Sequence, residues 1–159
     1  MSEYVNNPLL YFEHKCTDFK RETEKAIKKG LREGLKELRN TARQNLKSSV
    51  SSASKRNPKY NDTLVSGIRS YSPRRSKKNN AEITAAVKIT SNRKKGSGSY
   101  RLPMLENGTV TRQTKKGYNR GVLKGYKFFQ KANQTVSPQK VQSYIDREMQ
   151  KALRELNEK

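Results

Sequence analysis

The chain has one cysteine, one histidine, no tryptophan and, between Glu82 and Asp146, one acid, Glu106. Each scarcity excludes something. A lone Cys16 cannot close an internal disulfide, and with only His14 near it no Cys/His zinc constellation can be assembled. Residues 83–145 hold a single carboxylate and neither His nor Cys, so paired acid/base chemistry and thiol nucleophiles lack their parts. Gly96-Ser97-Gly98 is not followed by the Lys-Ser/Thr of a phosphate-binding loop. No catalytic centre, cofactor or metal is expected. No apolar run approaches the ~20 residues of a membrane span, and Met1 to Lys15 lacks a signal-peptide core. The expectation is a chain made in the cytoplasm, with no membrane partner.

Large apolar residues are also few: Leu, Ile, Val and Phe total 29 of 159. With high charge, that share meets a compositional rule for disorder, but the apolar residues are periodic, and periodicity argues for structure. The small number implies a thin core that depends in part on neighbouring chains. What is abundant is positive charge, 36 Lys and Arg against 14 Asp and Glu, a net +22. From Arg69 to Lys131 there are 17 Lys and Arg against two acids, so +15 of it lies in that stretch. Such a field attracts polyanions or acidic protein surfaces and informs about partners, not fold.

Residues 1–18 read as an arm, with Leu9, Leu10, Tyr11 and Phe12 forming an apolar cluster that must be buried on the chain's own core or on a neighbour. Asp18 suits an N-cap for a long amphipathic helix from Phe19 to Val50, with Ile27, Leu31, Leu35, Leu38, Ala42 and Leu46 on one stripe. Beside it run Ala26, Gly30 and Gly34. Each glycine costs a helix about 1 kcal/mol relative to alanine, so either a sheet or partner helix approaches closely there, or the helix is bent or frayed. Lys20, Lys28, Arg32, Lys36, Arg39 and Arg43 lie opposite and read mostly as a solvated face.

Thr63 to Tyr71 carries Leu64, Val65 and Ile68, and residues 72–80 read as a basic turn around Pro73. Ile83, Ala85, Val87 and Ile89 alternate strictly over Glu82 to Thr90, the best strand in the chain. Residues 91–99 form a flexible basic linker. Tyr100 to Leu105 is apolar enough for a strand or strand end that Pro103 confines to an edge or terminates. Residues 111–125 hold a further basic loop, and Phe128-Phe129 resumes an apolar run. Pro138 suits the first turn of a closing helix with Val141, Tyr144, Ile145, Met149, Ala152, Leu153 and Leu156 on one stripe. The order predicts an α+β fold: a long N-terminal helix, a small antiparallel sheet of three to four strands, and a C-terminal helix.

The basic tips are the candidate contacts for DNA or an acidic partner: Arg74, Arg75, Lys77 and Lys78, then Arg93, Lys94 and Lys95, then Lys115 and Lys116. Tyr71, Tyr100, Tyr118 and Tyr126 interleave with this charge and could stack on bases. In Glu106-Asn107-Gly108-Thr109, Asn-Gly favours a tight turn. Its carboxylate either pairs with any nearby cation or is held against specific backbone donors or an arginine.

The sequence resembles the minor tail component, or tail-completion, family of the neck region of long-tailed bacteriophages. The matching pieces are the basic first helix, Leu64-Val65-Ser66-Gly67-Ile68, Tyr100 with Leu105-Glu106-Asn107-Gly108-Thr109, Phe128-Phe129-Gln130-Lys131-Ala132, and the last helix to Leu156. The resemblance implies that residues 19–156 form one structural virion domain, assembled as a homo-oligomeric ring, a hexamer, at the head-tail junction. It would tether adjoining neck and tail proteins, and packaged double-stranded DNA is a further expected contact. Leu9, Leu10, Tyr11, Phe12, Gly30, Gly34 and Glu106 are the candidate subunit-interface residues. The alternative from charge alone is a nucleic-acid-binding protein of ribosomal or nucleoid type.

Overall fold

A computed structural model of the chain describes residues 8–50, 64–75, 82–90 and 98–158. Helix α1 runs Pro8–Ser49, strands β1 and β2 are Ile68–Arg75 and Ile83–Ile89, and a 3-10 turn at Ser99–Arg101 leads into α2, Leu102–Asn107. Helices α3, Phe128–Thr135, and α4, Pro138–Asn157, close the chain. The fold is mixed helix and sheet. Its strands make one antiparallel two-stranded sheet among the described residues, plus an isolated bridge from Gln113 to Asn119.

Helix α1 spans 42 residues, about 63 Å at the usual rise. It starts eleven residues before Phe19, so Asp18 lies inside the helix instead of capping it, and Leu9, Leu10, Tyr11 and Phe12 belong to its first turns. The boundary drawn at residue 18 is therefore not a structural one. The two halves of α1 do different work. Its C-terminal half carries Ala42 and Leu46, with Val50 just past its end, into the core, where they meet Leu64, Ile68, Leu102, Phe128 and Ala132. Its N-terminal half packs along α4.

That second seam explains the glycines. A Cβ on Gly30 would lie 2.6 Å from Ile145 Cα, and one on Gly34 would lie 2.9 Å from Val141 Cγ1. Close approach by a helix is what the stripe permits, and the helix is this chain's own α4. Gly30 and Gly34, named above as interface candidates, are both buried within the chain. Acidic residues tie the same seam. Glu37 accepts from Lys140 Nζ at 2.6 Å and from the Tyr144 hydroxyl, Arg147 pairs with Glu33, and the buried Glu148 pairs with Lys29 at 2.7 Å. Pro138 is in the first turn of α4, as the sequence indicates, and Ser137 caps the helix by accepting from the Lys140 amide at 3.3 Å.

In the hairpin, Ile68 faces Ile89 and Tyr71 faces Ala86, but Arg74 faces Thr84, so β1 holds one extra residue. Pro73 is buried at this bulge, a place in a ladder where a missing N–H is tolerated. Residues 72–75 are accordingly strand, not the start of a turn. Val87 and Ile89 pack on the core, while Ile83 and Ala85 border a groove with Leu31, Leu35, Val141 and Ile145. Arg39 and Arg43, expected in solvent, reach the sheet instead. Arg43 Nη2 donates to Ile68 O at 2.8 Å and Arg39 Nη1 to Ser70 Oγ at 3.3 Å. Burial, and then the neighbouring Arg39, lowers the Arg43 pKa.

The expected third strand is a helix. Leu102 is fully buried at its start and Pro103 occupies its first turn, where the missing N–H costs nothing. The run at Phe128-Phe129 is likewise helical.

Two outcomes follow from the α1–α4 seam. Gly30→Ala gains about 1 kcal/mol of helix propensity but forces backbone against backbone, which costs about 1–3 kcal/mol or more. Its melting temperature should fall by several degrees; Gly34→Ala, whose Cβ would meet only the Val141 side chain, at 2.9–3.3 Å and stiff at χ1, should fall less because no backbone atom is struck, and a larger fall for Gly34→Ala would contradict the packing described. For pH, the Lys29 bond holds Glu148 below the usual carboxylate range, and the Lys140 and then Tyr144 bonds do the same for Glu37. Their contribution is complete above the unfolded carboxylate value and is lost as pH falls through the depressed folded one. Lys29 is raised by Glu148, and Lys140 and Tyr144 by Glu37; their contribution is complete below the unfolded values and is lost as pH rises through the raised ones. Melting temperature should therefore be flat from roughly pH 5.5 to 9.5 and fall on both sides. A Glu37→Gln/Glu148→Gln variant should show a smaller acid-side fall in the same thermal scan.

Candidate functional site

Glu106 is the last residue but one of α2 and is 9% exposed. Its Oε2 accepts from the Phe129 amide at 2.9 Å and its Oε1 from the Gln130 amide at 3.0 Å. Those amides are at the first turn of α3. The residue before that helix, Lys127, has φ 55° and supplies no side-chain cap, so the carboxylate 23 residues upstream fills the capping role. A helix N-terminus leaves N–H groups without intrahelical partners and carries partial positive charge, which a carboxylate satisfies on both counts. Of the two readings of Glu106, backbone donors rather than an arginine are its partners.

The surrounding backbone is stitched to match. Tyr126 N donates to Leu105 O at 2.8 Å, Lys127 N to Glu106 O at 3.2 Å, and Thr109 N to Leu123 O at 2.9 Å. Leu123 N returns a bond to Thr109 Oγ1 at 3.0 Å. Gly108 has φ 82°, and a Cβ there would be 2.7 Å from Leu123 O, so this position of the Asn-Gly turn needs glycine for both its dihedral and its space. Phe128, the first residue of α3, is fully buried, and Asn45 of α1 donates to its carbonyl at 3.2 Å. The turn, α3 and α1 are thereby one unit.

Between Thr109 and Leu123 the chain makes a long excursion. Arg112 N donates to Gly121 O at 3.1 Å and Arg120 N to Arg112 O at 2.6 Å, with a tight tip at Thr114 to Tyr118. This ladder, not a bare loop, presents Lys115, Lys116 and Tyr118, all exposed. At its base, Arg112 and Arg120 join Arg101, Tyr100 and Tyr126 around a cleft of about 560 Å³ whose floor includes Met104 and Leu105. Among the described residues no carboxylate lines it.

The sequence-predicted contact residues lie on separate elements. Arg74 is exposed on β1 and Arg75 ends that strand, Lys115 and Lys116 sit at the excursion's tip, and Lys77, Lys78, Arg93, Lys94 and Lys95 lie outside the described residues. Tyr71 is on the hairpin under Lys88, 5.7 Å from its ring centroid. The cations that do gather, Arg101, Arg112 and Arg120, were not singled out beforehand. Their only sequence signal is an arginine beside each of Tyr100, the 111–125 loop start and Gly121.

These features define a small helix-dominated α+β protein whose turn at Glu106 is a structural joint. No family model matches the chain, and neither the curated proteins nor the solved structures contain a match. No helix among the described residues is long and apolar enough to cross a membrane.

Glu106→Ala leaves two first-turn amides of α3 without their acceptor, a loss of about 1–3 kcal/mol. The amides of Phe129 and Gln130 should exchange faster with deuterium, and Glu106→Gln, which keeps one acceptor oxygen, should fall between. Unchanged exchange at both amides in Glu106→Ala would refute the capping role.

Proposed function

We propose that this chain is a structural virion protein of the phage neck or tail. It assembles as a ring that joins or completes the tail at the head-tail interface, and it meets acidic neighbours or packaged DNA through its basic loops. The observation that carries this reading is the bond from Glu106 to the Phe129 and Gln130 amides. It links the two segments on which the resemblance to the tail-completion family rests, the Leu105 to Thr109 turn and the Phe128 to Ala132 segment. Two turns of phrase in the sequence become one joint in space.

The thin core supports assembly. Among the described residues only Phe128, Leu46, Ile68 and Leu102 are large side chains under 2% exposed. Phe19, Val110, Tyr118 and Val122 are meanwhile half or more exposed, apolar surface that a ring would cover. Because Gly30 and Gly34 are used inside the chain, the neighbour contacts fall to α1's first turns and to the excursion. A second reading, nucleic-acid binding of ribosomal or nucleoid type, draws on Tyr118 beside Lys115 and Lys116, an aromatic among cations that suits stacking on bases.

Native mass spectrometry of the purified chain separates the two. A neck subunit should give discrete ring masses, a hexamer first among them, and should associate with tail tubes. Monomers forming tight one-to-one complexes with duplex DNA, with affinity falling steeply as salt rises, would overturn the ring in favour of the second reading.

A further inference from the structure

The cleft between α2 and the base of the 109–123 excursion has an unusual make-up for a surface so basic. Its volume is about 560 Å³, within the range of sites that bury a bulky group. Val50, Met104, Leu105 and Leu123 give it apolar wall, and Arg101, Arg112 and Arg120 stand around it. Arg101 also lies over the Tyr100 ring, 5.4 Å from its centroid. The guanidiniums of Arg112 and Arg120 make no ion pair among the described residues, and the one acid of this part of the chain, Glu106, has both oxygens occupied by α3. Arg112 and Arg120 therefore hold like charge about an apolar hollow, and among the described residues nothing of opposite sign lines it.

We propose that this cleft is the docking site for a short acidic peptide segment of an adjoining protein, a segment that seats one bulky apolar or aromatic side chain between carboxylates. The carboxylates pair with the guanidiniums of Arg112 and Arg120, whose planar fork suits bidentate carboxylate contacts. The bulky side chain fills the hollow over Met104 and Leu105, in the manner of an anchor ringed by polar contacts. Charge complementarity selects an acidic occupant over a second copy of this +22 chain. The apolar floor selects peptide over duplex DNA, which offers phosphates outward and keeps its apolar faces stacked inside. The proposal deepens the reading above by naming the chemistry of a partner, and rests on its acidic-neighbour contacts, not on ring geometry.

The test uses the full chain and fluorescein-labelled probes read by anisotropy: a peptide with phenylalanine between pairs of glutamates, the same peptide with alanine at the centre, its lysine counterpart, and a short DNA duplex. The phenylalanine peptide should bind about tenfold more tightly than the alanine one, and the lysine peptide should not bind. Arg112→Glu/Arg120→Glu should lose about tenfold or more in affinity, while Lys115→Glu/Lys116→Glu, the same charge change at the excursion's tip, should lose far less. Met104→Asn should remove the advantage of phenylalanine over alanine. Thermal melting of each variant establishes that the fold persists; all the altered side chains are exposed. Equal loss in the two charge-reversal variants, no preference for phenylalanine, or duplex binding in the absence of peptide binding would each overturn the proposal. Native mass spectrometry run on the same samples keeps the two readings apart: peptide binding by a monomer would leave the cleft standing and remove the ring, and rings that ignore the peptide would do the reverse.

Discussion

Two hydrogen bonds donated by backbone amides to one carboxylate hold the central part of this protein in place. Glu106 closes the N-terminal end of α3, and the position of α3 decides where Phe128 and Ala132 enter the core beside Leu46 and Ile68. Lys127 begins that helix in a left-handed conformation and without a cap of its own. Without Glu106, a short helix in a strongly basic stretch would present unpaired N–H groups and partial positive charge to an already positive surface. The scarcity of acid in this stretch of the sequence makes the one carboxylate hard to replace.

The remaining acids are placed by a related logic. Nine of the 14 lie on α1 and α4, and Glu33, Glu37 and Glu148 cross between these helices to cations on the opposite one. Glycine and alanine let the two helices come close, and the charge pairs flank that approach. The more exposed of these pairs, Glu33–Arg147 and Glu37–Lys140, contribute little singly, but together with the Glu148 pair and with Gly30 and Gly34 they set which face of α4 meets α1. Positive charge is left unbalanced where neither seam nor core needs it, on the hairpin, the excursion and the cleft.

How much of this could be read from residue order varies by element. Long stripes were plain: the Leu31 to Leu46 spacing, the Val141 to Leu156 stripe with Pro138 before it, and the alternation of Ile83 to Ile89 all became the expected helix or strand. Tyr100 to Leu105 was not, because six residues with a proline fit a strand edge and a first helical turn equally well, and burial of Leu102 decided between them. Pro73 misled as a turn signal because a bulge can hold it within β1. Arg39 and Arg43 looked like solvated face, yet long side chains can carry their guanidiniums to a sheet edge that the sequence does not place.

Glu106 shows the division most clearly. By itself the sequence determined that this acid is alone in a basic field, that it stands before an Asn-Gly turn, and that Gly108 can supply the positive φ such a turn requires. It also determined the helix stripes and the close-packing capacity of Gly30 and Gly34, since periodicity and side-chain size are local properties. Only the tertiary structure decided that the acceptor oxygens meet the amides of Phe129 and Gln130 and that α4 fills the glycine stripe. It alone gathered Arg101, Arg112 and Arg120 around one hollow. A backbone amide carries no mark in the sequence, because every residue except proline has one, and which amide is left unpaired depends on where a helix begins in space.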